Sequence, residues 1–326
     1  MKRENVIGRA NVEDTAELEA YYRDLGKRDL GALWNVANEI EPWFPQPKSV
    51  PMLWKWRDIG PLVRKAPELV SAEKAARRVV MLVNPGRKEW SAAAGLLYTG
   101  VQIMNPGEFT SAHRHQASAL RFVMGGKGAF TVVDGERLVL GARDFVLTPN
   151  GTWHDHGVEA DGTQCIWQDG LDIPLMNSLD SNFYEVHPQT VQTPAPLSRE
   201  NWKKPYSPVF LYKWDESFKT LRKNGFFDYL NPLTGGPVMP TMGARLELIK
   251  ESTKPIRHTG SVIYQVATGH GWSEIGGKRF EWEEKDIFCI PSWTPYRHGA
   301  PKEAVLFSFN DFPAMKALGL FRESND

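Results

Sequence analysis

One β-rich pattern occurs twice in the chain, and this repeat is the strongest constraint on its fold. Each copy has a glycine-containing strand start, a two-residue turn and an aspartate-led strand ending in proline: residues 126–130, 134–135 and 144–149 in the first copy, and residues 269–273, 276–277 and 286–291 in the second. Short strands separated by glycine and proline turns are typical of sandwiches and barrels. The repeat therefore predicts a mainly β protein with two jelly-roll-like β-barrels in one chain.

The strand and turn patterns divide the 326 residues into five predicted segments. These are a helical and irregular N-terminal arm (1–94), a first barrel (95–172), a connector (173–242), a second barrel (243–312) and a C-terminal tail (313–326). Within the arm, Asn11 can cap an amphipathic helix, and residues 71–76 and 78–83 predict a short helix and a strand. The proline-rich connector is too long to be structureless in a compact protein.

In the first barrel, six strands are predicted, at residues 96–104, 119–124, 129–133, 137–140, 145–148 and 164–167. Asp134-Gly135 is a two-residue turn that favours a tight hairpin with the correct twist. The strands on either side of it should therefore pair directly.

Composition excludes several function classes. The chain has 39 basic and 39 acidic residues, so bulk charge does not indicate nucleic-acid binding. No apolar run approaches the roughly 20 residues of a membrane span, and the N-terminus lacks the apolar core of a signal peptide. We expect a cytoplasmic protein whose two cysteines are reduced, and an aromatic-rich arm that packs on another subunit of a homo-oligomer.

Three histidines in the first copy have the arrangement of a metal site. His113 and His115 are one residue apart, so on an extended segment their side chains point to the same side. His154, from a later strand, can complete a face of three imidazoles and leave the opposite coordination positions open. We predict that His113, His115 and His154 bind one metal ion inside the first barrel.

The second copy has lost this ligand set. Aligning the repeats places Ile256 opposite His113, His258 opposite His115, and Tyr296 opposite His154. One histidine cannot hold a divalent ion in the three-ligand manner, so His258 and His298 are predicted to be hydrogen-bonded structural residues. The second barrel is predicted to bind no metal.

The histidine motifs resemble a known superfamily. Gly107, His113-Arg114-His115 and the later Pro149-Asn150-Gly151-Thr152-Trp153-His154 resemble the two signature motifs of the cupins. The acidic residue that many cupins place after the second histidine is replaced, since Ala119 or Leu120 stands there. Arg143 stands where cupins usually carry glycine.

Longer matches narrow this resemblance. Five stretches resemble the gentisate 1,2-dioxygenase family, which includes salicylate and 1-hydroxy-2-naphthoate dioxygenases: residues 112–115, 118–122, 128–131, 152–156 and 169–174. Residues 54–59 and 231–237 match as well. The resemblance implies a homotetramer with one Fe(II) per subunit in the first barrel, acting on a small aromatic acid and O2. It implies cleavage of a 2-hydroxybenzoate ring between the carboxyl- and hydroxyl-bearing carbons, most simply gentisate to maleylpyruvate.

The resemblance also suggests roles for residues around the metal. Arg121 follows His115 by six residues and should share its strand face, where a guanidinium can hold the substrate carboxylate. Arg77 and Gln102 would assist it, and Tyr98 occupies a pocket position where some relatives have tryptophan. His156, two residues beyond His154, should exchange a proton with the ring hydroxyl. Asp169 is expected to orient a neighbouring side chain. Each of these residues also has a purely structural alternative.

Three other functions remain open from the sequence. The departures at Tyr98, Gln116 and Ala117 also fit a dioxygenase for salicylate, a nitro- or chloro-salicylate or 1-hydroxy-2-naphthoate. A cupin isomerase or decarboxylase would use the metal only as a Lewis acid and would need no O2. A sensing cupin would have no activity.

Overall fold

The computed structural model describes residues 15–194 and 204–325. Its seven α-helices in these ranges are α1 (Ala16–Gly26), α2 (Leu33–Ile40), α3 (Trp56–Leu69), α4 (Ala72–Ala75), α5 (Ile173–Ser178), α6 (Trp214–Asn224) and α7 (Phe312–Ala317). A 3-10 helix covers Pro85–Trp90. Within the described ranges, no helix combines the length and apolar character that crossing a membrane requires.

Strands make up most of the remaining regular structure. Through residue 171 they are β1 (Met52–Trp54), β2 (Val79–Met81), β3 (Tyr98–Met104), β4 (His113–His115), β5 (Ala119–Gly125), β6 (Ala129–Val133), β7 (Glu136–Leu140), β8 (Phe145–Thr148), β9 (His154–Val158) and β10 (Cys165–Leu171). They continue as β11 (Tyr184–Val186), β12 (Leu211–Tyr212), β13 (Phe226–Tyr229), β14 (Gly243–Ile249), β15 (Arg257–His258), β16 (Val262–Thr268), β17 (His270–Ile275), β18 (Lys278–Glu283), β19 (Ile287–Ile290), β20 (Tyr296–Gly299), β21 (Ala304–Asn310) and β22 (Glu323–Ser324).

The chain forms two compact units, residues 1–46 and 47–326. In the described part of the smaller unit, helix α1 begins after Thr15, whose side chain accepts a hydrogen bond from the backbone N–H of Leu18. Thr15, not Asn11, is therefore the residue that caps this helix; Asn11 lies outside the described residues. Trp43 and Phe44 of this unit are exposed.

The larger unit contains two β-sandwiches. In the first, a six-stranded sheet in the order β12-β8-β5-β10-β3-β2 faces a five-stranded sheet in the order β11-β4-β9-β6-β7. The second has a six-stranded sheet in the order β1-β19-β16-β21-β14-β13, with smaller sheets β18-β17-β20 and β15-β22. The mainly β, two-cupin fold predicted from the repeat is confirmed.

One apolar core joins the two sandwiches. Phe122 from β5 stacks on Phe307 from β21 with ring centroids 4.1 Å apart, and both rings are fully buried. Buried side chains of both six-stranded sheets belong to this core. The first sandwich, with the predicted metal ligands, thus packs against the second through this shared core.

The predicted arm and connector contribute strands to both sandwiches. Strand β1 pairs with β19 and β2 pairs with β3, so both six-stranded sheets take a strand from the predicted arm. The connector supplies β11, β12 and β13 as edge strands. The segment boundaries at residues 95, 173, 243 and 313 stay predictions.

Local turn chemistry explains two features of the repeat. Asp134 and Gly135 have φ values of 46° and 86° and connect β6 directly to β7, which confirms the predicted hairpin. Arg143 and its counterpart Lys285 have φ values of 65° and 74°, a left-handed conformation that favours glycine. The cupin glycine position therefore keeps its backbone geometry in both copies without glycine.

Candidate metal centre and substrate pocket

The three predicted ligands come together on two adjacent strands of the five-stranded sheet. His113 and His115 lie on β4 with their side chains on the same face, and His113 pairs with His154 of β9. The ring centroids of His154 lie 4.2 Å from those of His113 and 4.8 Å from those of His115. All three residues are buried.

Hydrogen bonds orient the three rings in the same way. The Nδ1 atoms of His113, His115 and His154 lie 2.6, 2.7 and 3.0 Å from backbone carbonyl oxygens two residues away in the chain. A carbonyl only accepts, so each Nδ1 carries the proton and each Nε2 presents a lone pair. This is the tautomer that coordinates a metal through Nε2.

The donor set fits a metal ion. Nε2 of His113 and Nε2 of His154 are buried and lack a hydrogen-bond partner in the described structure. One ligand atom from each of the three histidines lies within 4.8 Å of the others, and no other such group of His, Cys, Asp or Glu occurs among the described residues. Burial, followed by the positive charge of Arg77, lowers the pKa of His115 to about 4, so the imidazole is neutral near pH 7. Unpartnered neutral lone pairs that converge in this way suit a divalent cation.

The equivalent place in the second sandwich has a different set of residues. Ile256 pairs with Tyr296 as His113 pairs with His154, in agreement with the repeat alignment. His258 Nε2 lies 3.1 Å from the Tyr296 hydroxyl, and His298 Nδ1 lies 2.7 Å from Ser273 Oγ. Both histidines take part in hydrogen bonds within the protein, as predicted.

Arg121 faces the histidines from the opposite sheet. The expectation that it shares a strand with His115 is wrong, because β4 ends at His115 and β5 begins at Ala119 in the other sheet. Its guanidinium is nevertheless close: Nη1 donates to Thr148 Oγ1 at 2.8 Å, and Nη2 lies 3.4 Å from His156 Nδ1. Each Nη therefore keeps a second N–H that a ligand can accept from.

Asp169 balances the charge of this arginine. Its Oδ1 lies 3.2 Å from Arg121 Nε, and both side chains are buried. Burial raises the pKa of the Asp169 carboxyl to about 6, although Arg121 and Arg77 lower it. Arg121 is the neighbour that Asp169 contacts, and the orienting role of Asp169 stays a prediction.

His156 lies between the sheets and contacts both. Its Nε2 is 2.9 Å from the Gln102 side-chain amide, and its Nδ1 is 3.2 Å from Thr110 Oγ1. Burial, then the charge of Arg121, holds its pKa well below the usual value, so the ring is neutral and a weak base in the protein without substrate. Gln102, Thr110 and Arg121 are its polar neighbours and fix the plane of the ring beside the three-histidine cluster.

Arg77 and Tyr98 complete the set of predicted residues. Arg77 lines a cavity of about 530 Å³, together with His113 and Tyr184. Burial and the nearby Asp169 raise the pKa of Tyr98, and Arg77 lowers it, so these groups are electrostatic neighbours. The structure thus places all the predicted site residues around one cluster.

Three neighbours of the cluster were not identified from the sequence. Tyr184 stacks on His113 with ring centroids 5.3 Å apart, and the Arg77 guanidinium lies 5.5 Å from the centre of the same ring. Thr110 forms a hydrogen bond with His156, and Thr148 accepts one from Arg121. Of these three residues, only Thr148 could have been suspected from the sequence, because it ends a predicted strand next to the motif that contains His154.

Fold and side chains together define the class, a cupin with a three-histidine cluster that suits a metal ion. The family model of the cupin domain matches residues 100–174. The gentisate 1,2-dioxygenase 1 of Aquipseudomonas alcaligenes is 36% identical over 342 aligned residues, covering 96% of this chain and 97% of that protein. The 5-aminosalicylate 1,2-dioxygenase of Comamonas sp is 33% identical over 338 residues, covering 94% and 90%.

A solved structure agrees with these relatives. The crystal structure of salicylate 1,2-dioxygenase from Pseudoaminobacter salicylatoxidans, in its adducts with gentisate, superposes with a TM-score of 0.89 at 30% identity, over 96% of this chain and 94% of that one. The chain belongs to the family of gentisate and salicylate 1,2-dioxygenases. It is a ring-cleaving dioxygenase, an oxidoreductase, as the sequence predicted.

Proposed function

We propose that the protein uses Fe(II) and O2 to open the ring of gentisate between its carboxyl- and hydroxyl-bearing carbons, giving maleylpyruvate. The observation that carries this proposal is the convergence of three neutral imidazoles with two guanidinium groups, with no carboxylate ligand among residues 15–194 and 204–325. Imidazole ligands and open coordination positions suit non-haem Fe(II). Iron bound there would bring O2 and the aromatic substrate together.

The charge of the site supports a chelating, dianionic substrate. Neutral histidine ligands leave the ion's two positive charges uncompensated, and Arg77 adds another in the cavity wall. Asp169 offsets only the charge of Arg121. A 2-hydroxybenzoate with an ionised carboxylate and hydroxyl supplies the missing negative charge through two adjacent oxygens.

The residues of the chain have separate tasks in this proposal. Arg121, held by Asp169 and Thr148, donates from its Nη atoms to the substrate carboxylate, and Arg77 adds positive charge in the cavity wall. His156 accepts the proton of the ring hydroxyl once the substrate carboxylate offsets the charge of Arg121, which lowers the pKa of this imidazole in the protein without substrate. Gln102 keeps the imidazole in position. Tyr98, an electrostatic neighbour of Asp169 and Arg77, is assigned to the side of the substrate next to these groups.

A second candidate substrate is a salicylate without the para hydroxyl of gentisate, or with another substituent. The relative that acts on 5-aminosalicylate and the salicylate dioxygenase that binds gentisate support this alternative. We assign the discrimination between them to Tyr98, which is an electrostatic neighbour of Asp169 and Arg77.

We further propose that the protein works as a cytoplasmic homo-oligomer, a homotetramer by family resemblance. The exposed apolar side chains of residues 15–46, among them Ile40, Trp43 and Phe44, support association. Size-exclusion chromatography with light scattering measures the subunit number.

The test of substrate is O2 uptake by Fe(II)-loaded enzyme, with the ultraviolet spectrum of the product recorded alongside. The panel contains gentisate, salicylate, 5-aminosalicylate and the non-chelating 3-hydroxybenzoate. We expect the highest kcat/KM with gentisate and no turnover with 3-hydroxybenzoate. Equal turnover of 3-hydroxybenzoate would overturn the chelation argument, and product formation without O2 uptake would overturn the dioxygenase reaction.

A further inference from the structure

The second sandwich contains a cavity of about 550 Å³, as large as the pocket beside the metal centre of the first. It is lined by residues of β14, β16, β20 and β21, and by Phe312 of α7. A copy of the fold that served only as support would be expected to fill such a space with apolar side chains, because interiors pack closely.

Strand register shows that this cavity is the counterpart of the first pocket. In the first sandwich, Arg121 pairs with Asp169, which pairs with Gly100. In the second, Tyr264 pairs with Ser308, which pairs with Arg245.

Two further positions follow from this register. Glu247, two residues beyond Arg245, corresponds to Gln102, which lies two residues beyond Gly100. His298, two residues beyond Tyr296, corresponds to His156. In the second cavity, other residues therefore stand where the first has two of its metal ligands and Arg121. Polar side chains remain at the positions of Gln102 and His156.

Two of these polar groups have unused hydrogen-bonding capacity. Oε2 of Glu247 is buried and has no hydrogen-bond partner in the described parts of the chain, and Oε1 lies 3.8 Å from Arg245 Nη1. Burial raises the pKa of this carboxyl, and Arg245 and the Tyr264 hydroxyl lower it, so Tyr264 engages part of the carboxyl and Oε2 remains for a ligand. Arg245 itself is held by two contacts to Asp228, at 2.6 and 3.0 Å. An acceptor left unpaired in the interior is unfavourable unless a ligand supplies a donor.

His298 offers the complementary group. Trp282 Nε1 donates to Ser273 Oγ at 2.9 Å, and Ser273 Oγ lies 2.7 Å from His298 Nδ1. Within the described residues, that Nδ1 is the one acceptor available to the buried Ser273 hydroxyl, so it accepts and the His298 proton is on Nε2. This Nε2–H is buried and unpartnered. Glu247 thus offers an acceptor and His298 a donor in one cavity.

We propose that this cavity binds a small six-membered-ring compound that carries hydroxyl groups. A hydroxyl both donates and accepts, so it can pair with Glu247 and with His298 Nε2. Tyr264, Tyr296 and Phe312 supply aromatic faces for the ring. The site is separate from the metal centre, and its occupation does not depend on the proposed substrate.

The test is isothermal titration calorimetry of the iron-loaded enzyme with two probes, resorcinol and myo-inositol. Both carry ring hydroxyls, and they distinguish a phenolic ligand from a cyclic polyol. We expect at least one to bind, and Glu247→Gln to weaken that binding by about tenfold, since the substitution replaces one acceptor oxygen by an amide nitrogen and leaves a weaker, uncharged acceptor in place of the carboxylate. Glu251→Gln, at an exposed glutamate nearby in the chain, is the matched control and should bind as the wild type does.

Ring cleavage measured on the same samples confirms that each variant is folded, because Glu247→Gln should leave that activity unchanged. A crystal soaked with the binding probe should show it between β14 and β20. The proposal is overturned if neither probe binds at millimolar concentration. It is also overturned if binding is insensitive to Glu247→Gln, or if the probe occupies only the metal pocket and competes with the aromatic acid.

Discussion

The Nε atom of Arg121 lies 3.2 Å from Oδ1 of Asp169, and this ion pair is buried between the two sheets of the first sandwich. Thr148 Oγ1 accepts a hydrogen bond from Nη1 of Arg121. The guanidinium is therefore fixed along one edge, and the remaining N–H groups are available to a substrate carboxylate. Asp169 acts on the substrate through Arg121, so it is a positioning residue.

Asp169→Asn should weaken substrate binding. The amide has no negative charge to pair with Arg121, and a buried guanidinium that loses its counter-charge is strongly unfavourable. We expect KM to rise by about tenfold or more with a smaller decrease in kcat, measured as O2 uptake on Fe(II)-loaded enzyme. Asp161→Asn, at an exposed aspartate, is the control and should change neither constant. A fall in kcat at constant KM would contradict the positioning role.

Loss of a first-sandwich histidine should remove the metal. His113→Ala leaves two imidazoles, and we expect bound iron, measured by elemental analysis after loading and desalting, to fall by about tenfold or more. His258→Ala is the matched control, because His258 occupies the position of His115 in the second copy and bonds Tyr296 instead. Its iron content should equal that of the wild type. The opposite pattern would assign the metal to the second sandwich.

The repeat and the local turn chemistry made much of this site predictable. Equivalent positions could be aligned between copies, and the pairing of Ile256 with Tyr296 reproduces that of His113 with His154. Short-range rules also located the hairpin at Asp134, because its turn depends on two adjacent residues.

Contacts that depend on distant pairing were not predictable in this way. Tyr184 contacts His113 because β11 of the connector pairs with β4. The sequence around residue 184 contains no pattern that predicts this pairing. The sequence placed Arg121 near the histidines, but it did so by assuming that Arg121 and His115 share one strand. Residues 116–118 connect one sheet to the other, so spacing along a single strand does not apply.

Tyr184 should contribute to substrate affinity through its ring. It stacks on His113 and lies beneath Arg77, contacts of about 0.5–1.5 kcal/mol each. Tyr184→Ala should therefore raise KM by about three- to tenfold, whereas Tyr184→Phe, which keeps the ring, should stay near the wild type. Phe183→Ala removes an adjacent exposed ring and serves as the control. Equal effects of Tyr184→Ala and Tyr184→Phe would assign the role to the hydroxyl.

Asp311 should make stability depend on pH. Its Oδ1 accepts from the backbone N–H of Ser261 at 2.7 Å, and burial raises its pKa from 3.8 to about 7, although the N–H groups of Ser261 and Leu96 lower it. Because the folded-state pKa is the higher one, the folded protein binds the proton more tightly than the unfolded chain. The stabilisation is complete below about pH 4 and is lost as the pH rises through about 7.

Replacing this carboxyl by an amide of the same shape removes the titration. Relative to Asp311→Asn, the wild type should lose up to about 1.4 kcal/mol of unfolding free energy per pH unit across that window, and the difference should level off above it. Urea unfolding midpoints of both proteins across the pH range measure this, with Asp161→Asn expected to follow the wild type at every pH. Parallel curves for wild type and Asp311→Asn would mean that Asp311 is ionised throughout, so that the two backbone N–H groups outweigh the effect of burial.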